Sequence, residues 1–153
     1  MNFLKFSTVL LGLCVWSWGL VANAAAMTAL GDWKTIDDRT GNPKSIIHIE
    51  EVDGKLEGKI TKSIVTPGAP KPQEFCIKCK GDRKDQPIVG MTILWDLEPI
   101  EPGRWGGGKV LDPKTGEIYN CLIKVAADGE TLQMRGYILL SWLGRTQTWI
   151  RVK

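Results

Sequence analysis

Cys76-Ile77-Lys78-Cys79 is the sharpest short motif in the chain. A Cys-x-x-Cys pair does redox work when it opens a helix after a strand, because the helix N-terminus stabilises a thiolate. Here the pair sits among Pro67, Pro70, Pro72 and Pro87 and the basic residues Lys71, Lys78, Lys80, Arg83 and Lys84, which reads as a loop. In an oxidising compartment such a pair is expected as a structural disulfide. Cys121 then remains as a small buried hydrophobe; the alternative bridges it to Cys76 or Cys79 and staples the loop to the core. Three cysteines and His48 also total a tetrahedral zinc set, but only Cys76 and Cys79 have ligand spacing. No metal or other cofactor is expected.

His48 is the one histidine in the chain, between Ile47 and Ile49. A triad needs a serine and a carboxylate around it, and no nucleophile motif is present, so a hydrogen-bonded or surface histidine is the reading. Gly103-Arg104-Trp105-Gly106-Gly107-Gly108-Lys109 imitates the start of a phosphate-binding loop. Val110 stands where the magnesium-binding hydroxyl belongs, and Asp112-Pro113 forbids the helix that would receive the phosphates. These glycines instead mark a bulge or close packing in a strand, under Trp105 or a neighbouring ring. With no paired carboxylates, triad or metal signature, an enzyme is not expected.

The aromatic residues offer binding chemistry. Trp95, Trp105 and Trp142, with Arg135 and Tyr137, are the candidate ligand-lining set. Core filling is the competing and weightier use of the tryptophans, which also include Trp33 and Trp149.

The elements that carry these residues alternate with period two. Leu56, Gly58 and Ile60 alternate with charged residues; Met91, Ile93, Trp95 and Leu97 repeat the pattern, as do Leu132, Met134, Gly136 and Ile138. That is the pattern of half-buried strands. Turn residues punctuate them: Gly41-Asn42-Pro43, Asp53-Gly54, Asp112 to Gly116, Asp128-Gly129 and Gly144. About eight strands follow, at 30–37, 44–52, 55–65, 89–97, 105–111, 117–125, 131–140 and 145–152. Thr66 to Pro87 is the one long irregular piece, with a helical turn expected near Glu74 to Ile77. Short connections make sequence neighbours antiparallel, and closure removes unprotected edges. The expected fold is therefore an all-β, antiparallel up-and-down barrel; a β-sandwich is the alternative.

The chain has 153 residues, 43% hydrophobic and 24% charged, a globular balance that excludes disorder. Lys5, the apolar run Leu10 to Val21 and the small residues Ala22-Asn23-Ala24 form a secretory signal peptide over 1–24, leaving a single barrel domain at 25–153. Cleavage after Ala26 is the alternative cut. Leu13 before Cys14 spoils a lipidation motif. The mature chain holds 19 Lys and Arg against 17 Asp and Glu. So small a net charge points neither to nucleic acid nor to an anionic membrane. The expected destination is the periplasm or the medium, and no span is expected after cleavage.

Several separated motifs occur in order: Gly31-x-Trp33, Cys76-x-x-Cys79-x-Gly81-x-x-Lys84-Asp85-x-Pro87-x-x-Gly90, Asp112-Pro113-x-x-Gly116-x-x-Tyr119, Leu132-x-x-Arg135-Gly136, and Gly144-Arg145-x-x-x-Trp149-x-Arg151. Together they resemble the exported bacterial proteins of domain-of-unknown-function family 2147. The resemblance implies a small secreted barrel similar to lipocalins and fatty-acid-binding proteins, with no established activity. Gly31-x-Trp33 with Arg145 or Arg151 resembles the lipocalin closure, in which a last-strand arginine stacks on the first-strand tryptophan. By analogy of fold, the expected function is non-enzymatic binding of a small apolar or amphipathic ligand by a monomer. The alternative is an envelope interaction or structural module acting through the basic loop 66–87.

Overall fold

The computed structural model describes residues 27–153; the expected signal peptide lies outside the described residues. Eight strands run in chain order: β1 (Gly31–Ile36), β2 (Pro43–Val52), β3 (Lys55–Ser63), β4 (Thr92–Glu101), β5 (Arg104–Asp112), β6 (Glu117–Val125), β7 (Thr131–Tyr137) and β8 (Gly144–Arg151). Each pairs antiparallel with the next, and β1 also pairs with β8, so the sheet closes into a barrel. Trp33 lies opposite Arg151 and Thr35 opposite Trp149 across that seam. Closure leaves no strand edge open to another chain. The sandwich alternative is thereby excluded.

Period-two alternation fills the interior. Trp33, Ile47, Ile49, Leu94, Leu97, Ile123, Leu132 and Trp149 are all essentially inaccessible to solvent. Burying each side chain of this size stabilises the fold by about 1.5–3 kcal/mol. Two glycines make room for the larger residues. A Cβ on Gly58 would come within 2.8 Å of Leu94, and one on Gly108 within 2.7 Å of Leu97.

Three sequence expectations are corrected. The fourth strand is Thr92–Glu101 rather than 89–97, because it continues through Pro99 to a tight turn closed by a 3.1 Å Glu101–Arg104 ion pair. The seventh ends at Tyr137 rather than 140, since Tyr137 already faces Gly144 and the chain must turn. The helical turn in the long loop is a 3₁₀ turn at Gly81–Arg83, while Phe75 forms an isolated bridge with Pro87. The glycine run does mark a bulge, between Trp105 and Gly108, with Gly107 at φ 74°. Its close contacts are the Trp95 carbonyl, Leu97 and Ile100, not an aromatic ring.

The long loop folds back on the barrel's outer wall. Ile93 and Leu111 alternate with the inward Leu94 and Val110, so they face outward, yet both are buried. Loop residues Cys76, Cys79, Ile88 and Met91 belong to the same buried cluster. The loop docks against the β5–β6 turn, where a Cβ on Gly116 would collide with the Lys78 carbonyl. Gln73 Nε2 donates to Pro113 O at 3.2 Å from the same loop.

Candidate functional site

The up-and-down topology gives the barrel two unlike ends. One end gathers the N-terminal approach, the hairpins at 53–54 and 102–103, and the 126–130 turn; it is sealed. Trp33 is fully buried there, and its Nε1 donates to Ala29 O at 2.7 Å. The Arg151 guanidinium covers its ring at 4.2 Å from the centroid. The same guanidinium donates to three carbonyls: Gly129 at 2.6 Å, Leu30 at 2.9 Å and Thr28 at 2.6 Å. One side chain thus ties the N-terminal segment, the β6–β7 turn and the last strand together. Charge-assisted bonds of this kind are worth about 1.5–3 kcal/mol each when desolvated.

The other end is the mouth, where loops 37–42, 64–91, 113–116 and 138–143 emerge. Its inward-facing residues are polar over an apolar floor. Thr35 and Ser45 face each other with hydroxyls 2.8 Å apart. Tyr119 lies opposite inward Val110, and Gln147 opposite inward Met134. The Gln147 Oε1 accepts a 3.3 Å bond from Trp149 Nε1 below it. Ser45, Tyr119 and Gln147 are half-buried, whereas Ile47, Cys121 and Trp149 beneath them are buried. Gly136 faces inward beside them: an added Cβ would sit in ordinary van der Waals contact with Tyr119 and Val110, at 3.6 Å. At the rim, Arg145 Nη2 and Asp38 Oδ2 form a 2.7 Å ion pair across the β1–β2 loop.

The sequence-named residues are distributed as follows. Of the two closure arginines, Arg151 stacks on Trp33; Arg145 lies at the mouth end of the same strand. The five candidate ligand-lining residues are not brought to one place. Trp95 lies on the outer wall under Arg83, whose Cζ is 4.5 Å from the ring centroid. Trp105 lies opposite inward Ile123 toward the sealed end. Arg135 and Tyr137 alternate with inward Met134 and Gly136, so they face outward, and Trp142 is exposed in the 138–143 loop. Cys76 and Cys79 are joined by a disulfide (S–S 2.01 Å). Cys76 Sγ lies 3.2 Å from Pro113 O, a contact rather than a hydrogen bond, since a disulfide sulfur carries no proton. Cys121 is a free, buried thiol whose pKa is pushed up to about 12 by burial. His48 faces outward and its Nδ1 is 2.8 Å from Asp32 Oδ1. It is therefore on the opposite side of the wall from Cys121, and among the described residues no cluster of three or more metal-ligating side chains forms.

The mouth residues Thr35, Ser45, Tyr119 and Gln147 were missed by sequence reasoning. A signal for one was available: Arg145, Gln147, Trp149 and Arg151 share one face by parity, and a buried Trp149 makes that face the inner one.

A family model described as "Uncharacterized protein conserved in bacteria (DUF2147)" matches residues 31–151. The chain belongs to this family. The match begins and ends with the first and last barrel strands, so it covers the whole barrel. Among solved structures, the chain is similar to protein HP1028 from Helicobacter pylori, described as belonging to the lipocalin family. The two share 19% identity with a TM-score of 0.70, over 82% of this chain and 84% of that one. At that identity the likeness is one of fold. No curated protein matches the chain. Among the described residues no helix is long and apolar enough to cross a membrane.

Proposed function

We propose that this family member is an exported, non-enzymatic protein that holds a small apolar or amphipathic molecule in the mouth of its barrel. The carrying observation is the asymmetry of the interior. One end is plugged by Trp33 and Arg151, while the other presents half-buried Ser45, Tyr119 and Gln147 above an apolar floor. Such a cup suits a ligand with an apolar body and a polar end. The Arg145–Asp38 pair at the rim offers a charged group to that polar end. Because the lower interior is packed with Trp33, Leu97, Leu132 and Trp149, the ligand is small and sits near the opening. Export accords with the Cys76–Cys79 disulfide, which persists in oxidising compartments.

The test is titration of intrinsic tryptophan fluorescence with fatty acids and isoprenoids, with Gly136→Leu beside the native protein. Gly136 faces the interior without positive φ, and a Cβ there meets nothing closer than 3.6 Å. The leucine side chain extends from that contact into the mouth, and a denaturation midpoint measured beside the native one checks that the barrel stays folded. Saturable binding lost in the folded variant supports the reading; binding unaffected by the plug refutes it.

A second reading rests on a separate observation. Two surface concavities, of about 200 and 360 Å³, lie against the Cys76–Cys79 loop, and Arg83 lines both. This supports an envelope interaction module working through the basic loop 66–87. A chain indifferent to every ligand, yet retaining a partner in pull-down from envelope extract, favours it.

A further inference from the structure

The β7–β8 connection, Ile138-Leu139-Leu140-Ser141-Trp142-Leu143, carries five large apolar side chains into solvent. Leu139 is 82% exposed and Trp142 70%. Soluble proteins expose such contiguous patches where something binds. The loop's backbone is fastened in this state. Arg135, on the outer face of β7, donates to the Ser141 carbonyl, to Trp142 O at 2.8 Å and to Thr146 Oγ1 at 2.7 Å. Asn120 Nδ2 donates to Ile138 O at 2.7 Å, and Asn120 Oδ1 in turn accepts from Lys109 Nζ at 2.6 Å. A slack loop would fold its leucines back onto the barrel, whereas this one is pinned with them outward.

Charge on the described residues is segregated along the barrel axis. Assign each charged side chain to the nearer end of its strand, or to the end from which its loop emerges. Apart from the 64–91 loop, which folds back on the outer wall and holds 5 Lys and Arg against 3 Asp and Glu, the mouth end then holds 8 Lys and Arg against 5 Asp and Glu, and the sealed end 5 against 9, with Lys59 at the midpoint. The near-neutral whole is therefore a +3 end opposite a −4 end. The apolar loop projects from the positive one.

We infer that the mouth end docks on an anionic lipid bilayer, with the 138–143 loop entering the headgroup region. Leucine and isoleucine partition into the acyl boundary, and tryptophan prefers the headgroup level. Lysines and arginines close to an anionic surface add attraction that salt screens. The sealed, acidic end faces away from the membrane. The inference does not depend on a ligand in the barrel, because it concerns the outer rim and not the interior.

The test is co-sedimentation with vesicles of phosphatidylcholine alone or mixed with phosphatidylglycerol. The purified chain should start at Ala25, so that the apolar run before it cannot itself bind lipid. Binding to the anionic vesicles only, weakened by added salt, is expected. The double variant Leu139→Glu/Trp142→Ser should lose at least about tenfold in bound fraction. Both positions are exposed, so its denaturation midpoint should match the native one. Equal binding by the variant, binding to neither vesicle, or a salt-insensitive preference for neutral lipid overturns the inference. So does a dimer in size-exclusion chromatography that the variant abolishes, which would make the loop a contact between copies of this chain.

Discussion

Replacing Trp33 by alanine removes the plug of the sealed end, and its cost can be worked from three contacts. The side chain is wholly inaccessible to solvent, so deletion leaves a cavity that packed β strands cannot fully close. Buried Trp→Ala changes of this kind cost about 3–5 kcal/mol. The substitution also strips Ala29 O of its 2.7 Å donor and removes the ring beneath the Arg151 guanidinium. Trp33→Phe separates these effects, since it keeps an aromatic surface for Arg151 but loses the Nε1–H. An unsatisfied buried acceptor costs about 1–3 kcal/mol, so the phenylalanine variant should fall between native and alanine. A loss of ~4 kcal/mol is a large part of a total of about 5–15 kcal/mol. With a urea m-value of about 2 kcal/mol/M, it moves the midpoint down by roughly 2 M. Urea titration followed by circular dichroism measures all three proteins. An alanine midpoint within a few tenths molar of native would show that Trp33 is not structural, and the account of the sealed end would fail.

Three further predictions concern the cysteines. Cys121 should resist iodoacetamide in the native protein and react on unfolding, because burial holds its thiol protonated up to about pH 12. Below the unfolded thiol's pKa of 9.0 its contribution to stability is complete, and it declines as pH rises from there toward about 12; a Cys121→Ala variant should lack that alkaline decline. Replacing Cys76 and Cys79 together by alanine, which puts no polar group into the buried cluster, should cost about 2 kcal/mol through loss of the cross-link, since the bridged residues are three apart and the closed ring removes little chain entropy. Thermal denaturation of native and double variant would expose a larger role if the loss were much greater.

The barrel was legible because its rules are local. Alternation such as Leu132, Met134 and Gly136, punctuated by Asp53-Gly54 and Asp128-Gly129, fixes strand, face and turn within a few residues. The misplaced boundaries are those where a distant contact decides. Tyr137 ends β7 because Gly144 returns to face it and Arg135 gathers the following carbonyls, and nothing in Ile138-Leu139-Leu140 itself argues against continuing a strand. Nor does exposure follow from residue type. Trp33, Trp149 and Trp142 are chemically identical, yet two are core and one projects from a loop. Trp95 occupies an intermediate case, outward-facing but covered by a loop whose Arg83 lies over its ring.

The axial separation of charge illustrates the same limit more sharply. Along the chain, acidic and basic residues are interleaved, as in Lys55-Leu56-Glu57-Gly58-Lys59 or Asp82-Arg83-Lys84-Asp85, and the total of +3 conveys near balance. In an up-and-down barrel the chain visits opposite ends every eight to ten residues, so a charge preference tied to one end becomes a slow alternation along the sequence. Glu50, Glu51 and Asp53 near one hairpin and Glu98 and Glu101 near the next are separated by the whole basic loop, yet topology places them at the same end. A sum over residues discards this phase, while a sum over ends keeps it. The two ends differ in their chemistry as well as their sign. Arg151 spends its donors on three carbonyls and a ring to seal the acidic end. At the basic end, Arg135 holds the 138–143 loop and Arg145 pairs with Asp38 of the β1–β2 loop. The exposed apolar side chains of the 138–143 loop lie at this second end.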